Sequence, residues 1–204
     1  MILIGRYLSP FVRRVAATLH LYDLPFEHRP LATMGEDRDS IRDLNPVTRV
    51  PALVLDDGEA LVDSGAIVDY LDELVGPERA LTPRAGAQRR RVLKLTAVAS
   101  GAAEKAVLTV YEKRFRPEEK WHAPWVEMVS AQARDGFRWL DGELQGPYLT
   151  GETISSADVM TFASYEFVRA ANPQLFESLQ CPRLEVLCNE MSQLDAFQRS
   201  APAP

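Results

Sequence analysis

MILIGRYLSPFVRRVAATLHL, Met1 to Leu21, encodes a strand, a loop and a helix in one short stretch. The apolar run Met1 to Ile4 reads as the strand. Val12, Val15, Ala16 and Leu19 then fall on one face of a helix. Between them stand Ser9 and Pro10, a favoured N-cap followed by a favoured first helical residue. The unpaired N–H groups and dipole of that helix start stabilise an anion placed beside the Ser9 hydroxyl. A plain capping serine would look the same from this stretch alone, so the residues that follow decide.

Working outward, Ile2 to Gly5 is the first strand, and Phe26 to Leu31 the second, after the Leu24-Pro25 break. Asp37 to Leu44 is predicted as a short helix ended by Asn45-Pro46, because the residue before proline is pushed out of helical geometry. Ala52 to Leu55 and Glu59 to Val62 flank Asp56-Asp57-Gly58, whose Asp-Gly supplies the positive φ of a tight hairpin. A helix capped by Ser64 follows, with Ile67, Val68, Leu71, Leu74 and Val75 as its apolar stripe and Gly76-Pro77 as its end. A strand-helix-strand crossover makes a parallel pair and a hairpin an antiparallel one, so this order predicts a four-stranded mixed sheet.

After Pro83 the strand signal fades and a period of 3.6 takes over. Val92, Leu95, Ala99, Ala102, Ala106 and Val110 line a long helix. Gly101 inside it costs roughly 1 kcal/mol relative to alanine, which predicts close approach by a helix or a ligand there. A second long helix runs from Ala123 or Pro124 to Leu144, with Trp125, Met128, Val129, Ala133, Phe137, Leu140 and Leu144 facing inward. Ser155 and Asp158 form an acidic capping box that starts a third helix. Pro182 to Met191 and a frayed tail to Phe197 complete the series. The reading is therefore an α/β domain over residues 1–76, a linker over 77–84 and an all-helical domain over 85–204.

A chain of 204 residues with a net charge of -6 does not carry a nucleic-acid footprint. Arg89, Arg90 and Arg91 read as a solvated helix face. Cys181 and Cys188 make neither a CxxC pair nor a zinc set, and no metal site is expected. His20, His28 and His122 lack metal spacing, and no GxSxG or phosphate-binding glycine loop is present. No stretch reaches the ~20 apolar residues of a membrane span. The short N-terminal apolar run, interrupted by arginines, is no signal peptide, so a cytoplasmic protein is expected.

Two further motifs join Ser9. Val50-Pro51 precedes the third strand and is a candidate cis peptide; such a turn leaves the Val50 N–H and C=O free to pair with an extended peptide. An ordinary edge proline is the alternative. Asp63-Ser64 opens a helix whose N–H groups suit a carboxylate, with Asp63 available to an ammonium group, although capping alone also explains Ser64. Taken jointly the three sites describe one small ligand with an α-amino-acid end, a peptide backbone and a thiol. Glutathione has that layout.

YLSPFVRRV, NPVTRVPALV, LVDSGAIVDYL and, in the second half, GETISSAD resemble the glutathione S-transferase family, in its serine-type, bacterial-like cytosolic form. The resemblance implies a thioredoxin-like N-terminal domain and an all-α C-terminal domain, in a homodimer that takes glutathione as co-substrate and a small hydrophobic electrophile. It implies that Ser9 hydrogen-bonds the glutathione sulfur with Phe11 beside it, and that Arg49 approaches the glycyl carboxylate or neighbouring backbone. Val50, held by Pro51, pairs with the cysteinyl backbone, and Asp63 with Ser64 holds the γ-glutamyl end. Commoner members place glutamate or glutamine where Asp63 stands, one methylene longer. Tyr7 is the rival sulfur partner, since some branches use a tyrosine near the end of the first strand. Ser100, Ala103, Val107 and Tyr111 are the candidate electrophile contacts. A noncatalytic binding or regulatory module and a glutathione-dependent isomerase or dehalogenase are the alternatives; the serine-serine-cysteine string of the isomerase branch is absent.

Overall fold

Three residues of β1 (Ile2–Ile4) set the architecture of the first half of the chain. They pair in parallel with β2 (Glu27–Arg29) and antiparallel with β3 (Ala52–Val54), which in turn pairs antiparallel with β4 (Ala60–Val62). The sheet order is β2-β1-β3-β4, the mixed sheet expected from the sequence. α1 (Pro10–Leu21) forms the crossover, and a 3₁₀ turn (Gly35–Asp37), α2 (Arg38–Leu44) and α3 (Ser64–Val75) complete the layers. The computed structural model describes residues 1–203.

Side-chain alternation along the strands sorts these helices between the two faces. Leu3 and Leu53 point one way, into a core with Val12, Val15, Ala16 and Leu19 of α1 and Ile67, Val68 and Leu71 of α3. Ile4 and Ala52 point the other way, onto Ile41 of α2, with Ile2, Val54 and Val62 packed around them. Each fully buried leucine or isoleucine here stabilises the unit by about 1.5–3 kcal/mol. The second strand is shorter than the sequence indicates, because Leu31 turns back to donate to the Arg29 carbonyl at 2.8 Å. Leu74, placed in the α3 stripe by periodicity, is exposed. The buried arc of α3 is rotated toward Asp72, whose carboxylate meets the Tyr22 hydroxyl.

Two compact units make up the chain: Met1–Gly86 with the tail from Ser192, and Ala87–Met191. The sequence reading carried the tail with the helical half. The structure instead packs α9 (Asp195–Arg199) on α1, burying Ala196 and Phe197.

The second unit is helical: α4 (Gly86–Phe115), a 3₁₀ turn (Glu118–Lys120), α5 (Ala123–Glu143), α6 (Ser156–Ala171), α7 (Pro173–Leu179) and α8 (Pro182–Met191). Three expectations are corrected here. A Cβ on Gly101 would meet nothing within 4 Å, whereas one on Gly136 would sit 3.0 Å from the Ala102 Cβ, so the close helix approach lies at Gly136. Trp125 and Met128 are exposed; the hydrogen bonds tying α5 to α7 and α8 run from Arg134 to Asp141, beyond its first turns. Arg91 is not a solvated residue but a clamp, donating to Glu143 Oε2 at 3.0 Å and to the Glu143 and Leu149 carbonyls. The helix α7 was not foreseen, although Asn172 capping Leu175 ahead of Pro173 is a regular start signal.

Candidate functional site

One cross-strand row, Ile4–Ala52–Val62, brings the candidate residues to a common end of the sheet. The chain leaves β1 there toward Ser9, enters β3 there from Val50-Pro51, and leaves β4 there into Asp63-Ser64. Gly5 knits the first two together. At φ +123, it is in a region that L side chains rarely adopt, and a Cβ on it would lie 2.6 Å from Val12 Cγ2 and 2.8 Å from Val50 Cβ. The first turn of α1 and the turn before β3 thus approach through a glycine.

Ser9 is the N-cap of α1. Its Oγ accepts from the Val12 N–H at 3.4 Å, a long bond, and among the described residues its hydroxyl proton has no acceptor. Phe11, half-buried, occupies the same first turn. Tyr7 turns elsewhere. Its ring stacks on His28 of β2 with centroids 3.8 Å apart and planes within 6°, and His28 Nε2 is 2.8 Å from the Gly5 carbonyl. Burial pushes the Tyr7 phenol above its ordinary value, with the charge of Arg199 acting in the opposite direction.

The Val50-Pro51 peptide is cis. Pro51 is buried and Arg49 exposed, while the Val50 N–H and C=O make no hydrogen bond among the described residues. The turn leading there is organised by Asn45, itself buried. Its Oδ1 accepts from the Val47 N–H at 3.0 Å and its Nδ2 donates to the Arg49 carbonyl at 2.9 Å. Its own carbonyl accepts from the Thr48 N–H at 2.7 Å, and Thr48 holds a left-handed φ of 56.

At the third corner Asp63, not Ser64, is the helix cap: Asp63 accepts from the Gly65 N–H at 2.7 Å. Its backbone, at φ 70 and ψ 130, lies in a sparsely populated region for a residue with a side chain, a feature concentrated at functional positions. Asp63 is exposed, with one carboxylate oxygen free of the cap. Ser64, the first helical residue, is buried, and its Oγ accepts from Arg14 Nη1 at 3.3 Å. Arg14 is deeply buried in α1 and its pKa is pulled down to about 10 by desolvation, with Asp63 and Asp72 pulling it back up. A guanidinium beneath the Asp63-Ser64 corner adds positive charge where an anionic group would dock.

The α4 candidates divide. Ala103 has no accessible surface, so it is a core residue rather than a substrate contact. Ser100 and Val107 are half-buried, and Tyr111 is exposed with its ring edge-on to Phe115 at 5.0 Å. Among the described residues no group of His, Cys, Asp and Glu could hold a metal ion, and no helix is long and apolar enough to cross a membrane.

Sequence reasoning missed Gly5, Asn45 and Arg14. The signals for the first two were present: a glycine at a strand exit, and an asparagine before proline, which favours a side-chain turn. Arg14 carries no local signal, because only the tertiary fold puts it under Ser64.

A strand-helix-strand-hairpin-helix unit with a cis-proline before β3, followed by a helical unit, defines a protein of the glutathione S-transferase fold, its first unit thioredoxin-like. The family model for the glutathione S-transferase N-terminal domain matches residues 3–79. A glutathione transferase family member from Pseudomonas fluorescens Pf-5, solved with bound glutathione, superposes with a TM-score of 0.86 at 30% identity, over 100% of this chain and 99% of that one. The uncharacterized GST-like protein YibF of Escherichia coli is 26% identical over 99% of this chain and 98% of its own length. A probable maleylacetoacetate isomerase 2 of Drosophila melanogaster is 27% identical over 71% of this chain, which spans 64% of that relative. The chain belongs to the glutathione S-transferase family.

Proposed function

We propose that this protein is a glutathione transferase in which Ser9 activates the glutathione thiol for attack on a small hydrophobic electrophile. The observation that carries the reading is the Ser9 hydroxyl. Its proton is unspent at a helix start, on the sheet end that also holds the unpaired Val50 amide and the Asp63-Ser64 corner. Glutathione would lie along that end, its γ-glutamyl group at Asp63 and Ser64 over the Arg14 charge. Its cysteinyl backbone would pair with Val50 beside Pro51, its glycyl end would reach toward Arg49, and its sulfur would sit between Ser9 and Phe11.

The energetics suffice without a general base. Lowering a thiol pKa from about 8.5 by about two units takes roughly 2.7 kcal/mol. A hydrogen bond to a charged group contributes about 1.5–3 kcal/mol and a helix terminus roughly 0.3–1. The thiol proton leaves to water, the sulfur lone pair forms the carbon–sulfur bond, and a displaced leaving group departs with its electron pair. Ser100, Val107 and Tyr111 are the α4 positions retained for electrophile contact. Assembly as a homodimer and residence in the cytoplasm belong to the same reading.

Ser9→Ala tests it. Glutathione affinity stays within a few-fold, while the pKa of the bound thiol, read by thiolate absorbance, rises by at least about one unit. An unchanged titration curve defeats the role of Ser9. The relative named as an isomerase supports a second reading, in which glutathione adds to a substrate and is released again. Following glutathione separates the two: a transferase consumes it in step with product, an isomerase does not. Binding without either turnover points to the noncatalytic module.

A further inference from the structure

We infer that Asn45 is a positioning residue that aims the Val50 N–H at the peptide of bound glutathione; the inference rests on the reading of Val50 given above. The argument lies in a single peptide plane. The Arg49 carbonyl and the Val50 N–H belong to the same amide, which is planar and trans, so the two groups point in opposite directions along one rigid unit. Asn45 Nδ2 donates to that carbonyl at 2.9 Å from a buried position. Fixing the carbonyl fixes the N–H on the other side.

The anchor is itself anchored. Asn45 Oδ1 accepts from the Val47 N–H, the Asn45 carbonyl accepts from the Thr48 N–H, and the Asn45 N–H donates to the Ile41 carbonyl at 2.8 Å at the end of α2. Thr48, between the two residues that the side chain grips, has the positive φ that reverses the chain. The side chain therefore spans the turn and ends on the one carbonyl whose orientation governs the free N–H. Polarisation acts in the same sense: a donor on the carbonyl strengthens the N–H of that amide as a donor. Pro51 supplies no N–H of its own, which leaves the Val50 N–H as the donor this turn presents to an extended peptide.

The test is a cycle between protein and ligand. Glutathione is compared by calorimetry with an analogue whose cysteinyl-glycine peptide bond is an (E)-alkene, which keeps the shape and lacks the carbonyl that Val50 would meet. Wild-type protein binds the analogue about tenfold more weakly, as loss of one well-formed hydrogen bond implies. In Asn45→Asp and Asn45→Ala that ratio falls to within about twofold, glutathione KM rises with kcat little changed, and the pKa of the bound thiol stays put. A ratio that remains tenfold in folded variants overturns the positioning role while leaving the Val50 reading intact. A wild-type protein that binds both ligands alike overturns the Val50 reading and this inference with it. Should neither variant fold, amide proton shifts of the wild-type protein decide. Glutathione moves the Val50 N–H and the Asn45 side-chain N–H downfield together and the alkene analogue moves neither; an Asn45 signal indifferent to glutathione overturns the coupling.

Discussion

Ser9 and Ser155 obey the same local rule and end in different circumstances. Each precedes a helix, at α1 and α6. Ser155 is buried, and both its N–H and its Oγ donate to Asp158 Oδ2, at 2.9 and 2.7 Å. The other Asp158 oxygen accepts from the Leu149 N–H at 2.7 Å. Ser9 has Val12 at its third helical position, no acid to take its proton, and one long bond to a backbone N–H. The fold uses up the hydroxyl at Ser155 and leaves the one at Ser9 available. A helix-capping serine is thus a candidate for chemistry when its proton is unassigned, and a fastening when an acid three residues on claims it.

The strongest contrast should come from the acid itself. Asp158→Ala strands three donors in the interior, each worth about 1–3 kcal/mol when left unpaired, so urea unfolding should show a loss of about 3 kcal/mol or more. Glutathione affinity of the folded protein should not change. Desolvation raises the Asp158 carboxyl above its ordinary value despite its donors, so folding takes up a proton there. The stabilisation from that shift is complete below the unfolded value of about 3.9 and fades as pH rises through the folded one. Wild-type protein should therefore lose stability relative to Asp158→Asn across that interval. A wild-type gain there would contradict the burial.

Gly5→Ala comes next. Its Cβ would enter the space of Val12 Cγ2 and Val50 Cβ at a backbone angle closed to most side chains, for a cost of about 2–3 kcal/mol. Unlike Asp158→Ala it should also weaken glutathione binding, because the displaced partner is Val50. Calorimetry on the folded variant checks this; full affinity would mean that the turn does not meet the ligand. Ser9→Ala, by contrast, should cost only about 0.5–1 kcal/mol of stability, since the cap bond it removes is already long.

How much of this was legible beforehand follows from what each feature depends on. The sheet, α1, α3 and the capping box at α6 are written locally, in alternation, helical period and cap residues, and were readable. The common end of the sheet was not: crossover and hairpin each fix one strand pair, and only the antiparallel pairing of β1 with β3 brings the exits toward Ser9 and Asp63 beside the Val50 turn. Ala103 and Leu74 were misplaced because a stripe shows that a helix has an inner face but not how far round that face extends. Arg14 was invisible, because a guanidinium meeting Ser64 from another helix leaves no mark in either segment. Asn45 was read as a helix stop, since its other task needs the path of the chain to Arg49.

The smallest expected effect decides between the two hydroxyls nearest the strand exit. Tyr7 is stacked on His28 at the β2 edge, whereas Val50 and Asp63 border β3 and β4, on the other side of β1. Tyr7→Phe keeps the ring and its stacking and removes only the hydroxyl. The bound thiol pKa should move by less than about 0.3 units, which is about 0.4 kcal/mol, and the unfolding midpoint should hardly shift. A rise as large as that expected for Ser9→Ala would transfer the sulfur to Tyr7. The ring would then have to leave His28 when glutathione binds, and the Ser9 proton would be left without an assigned partner.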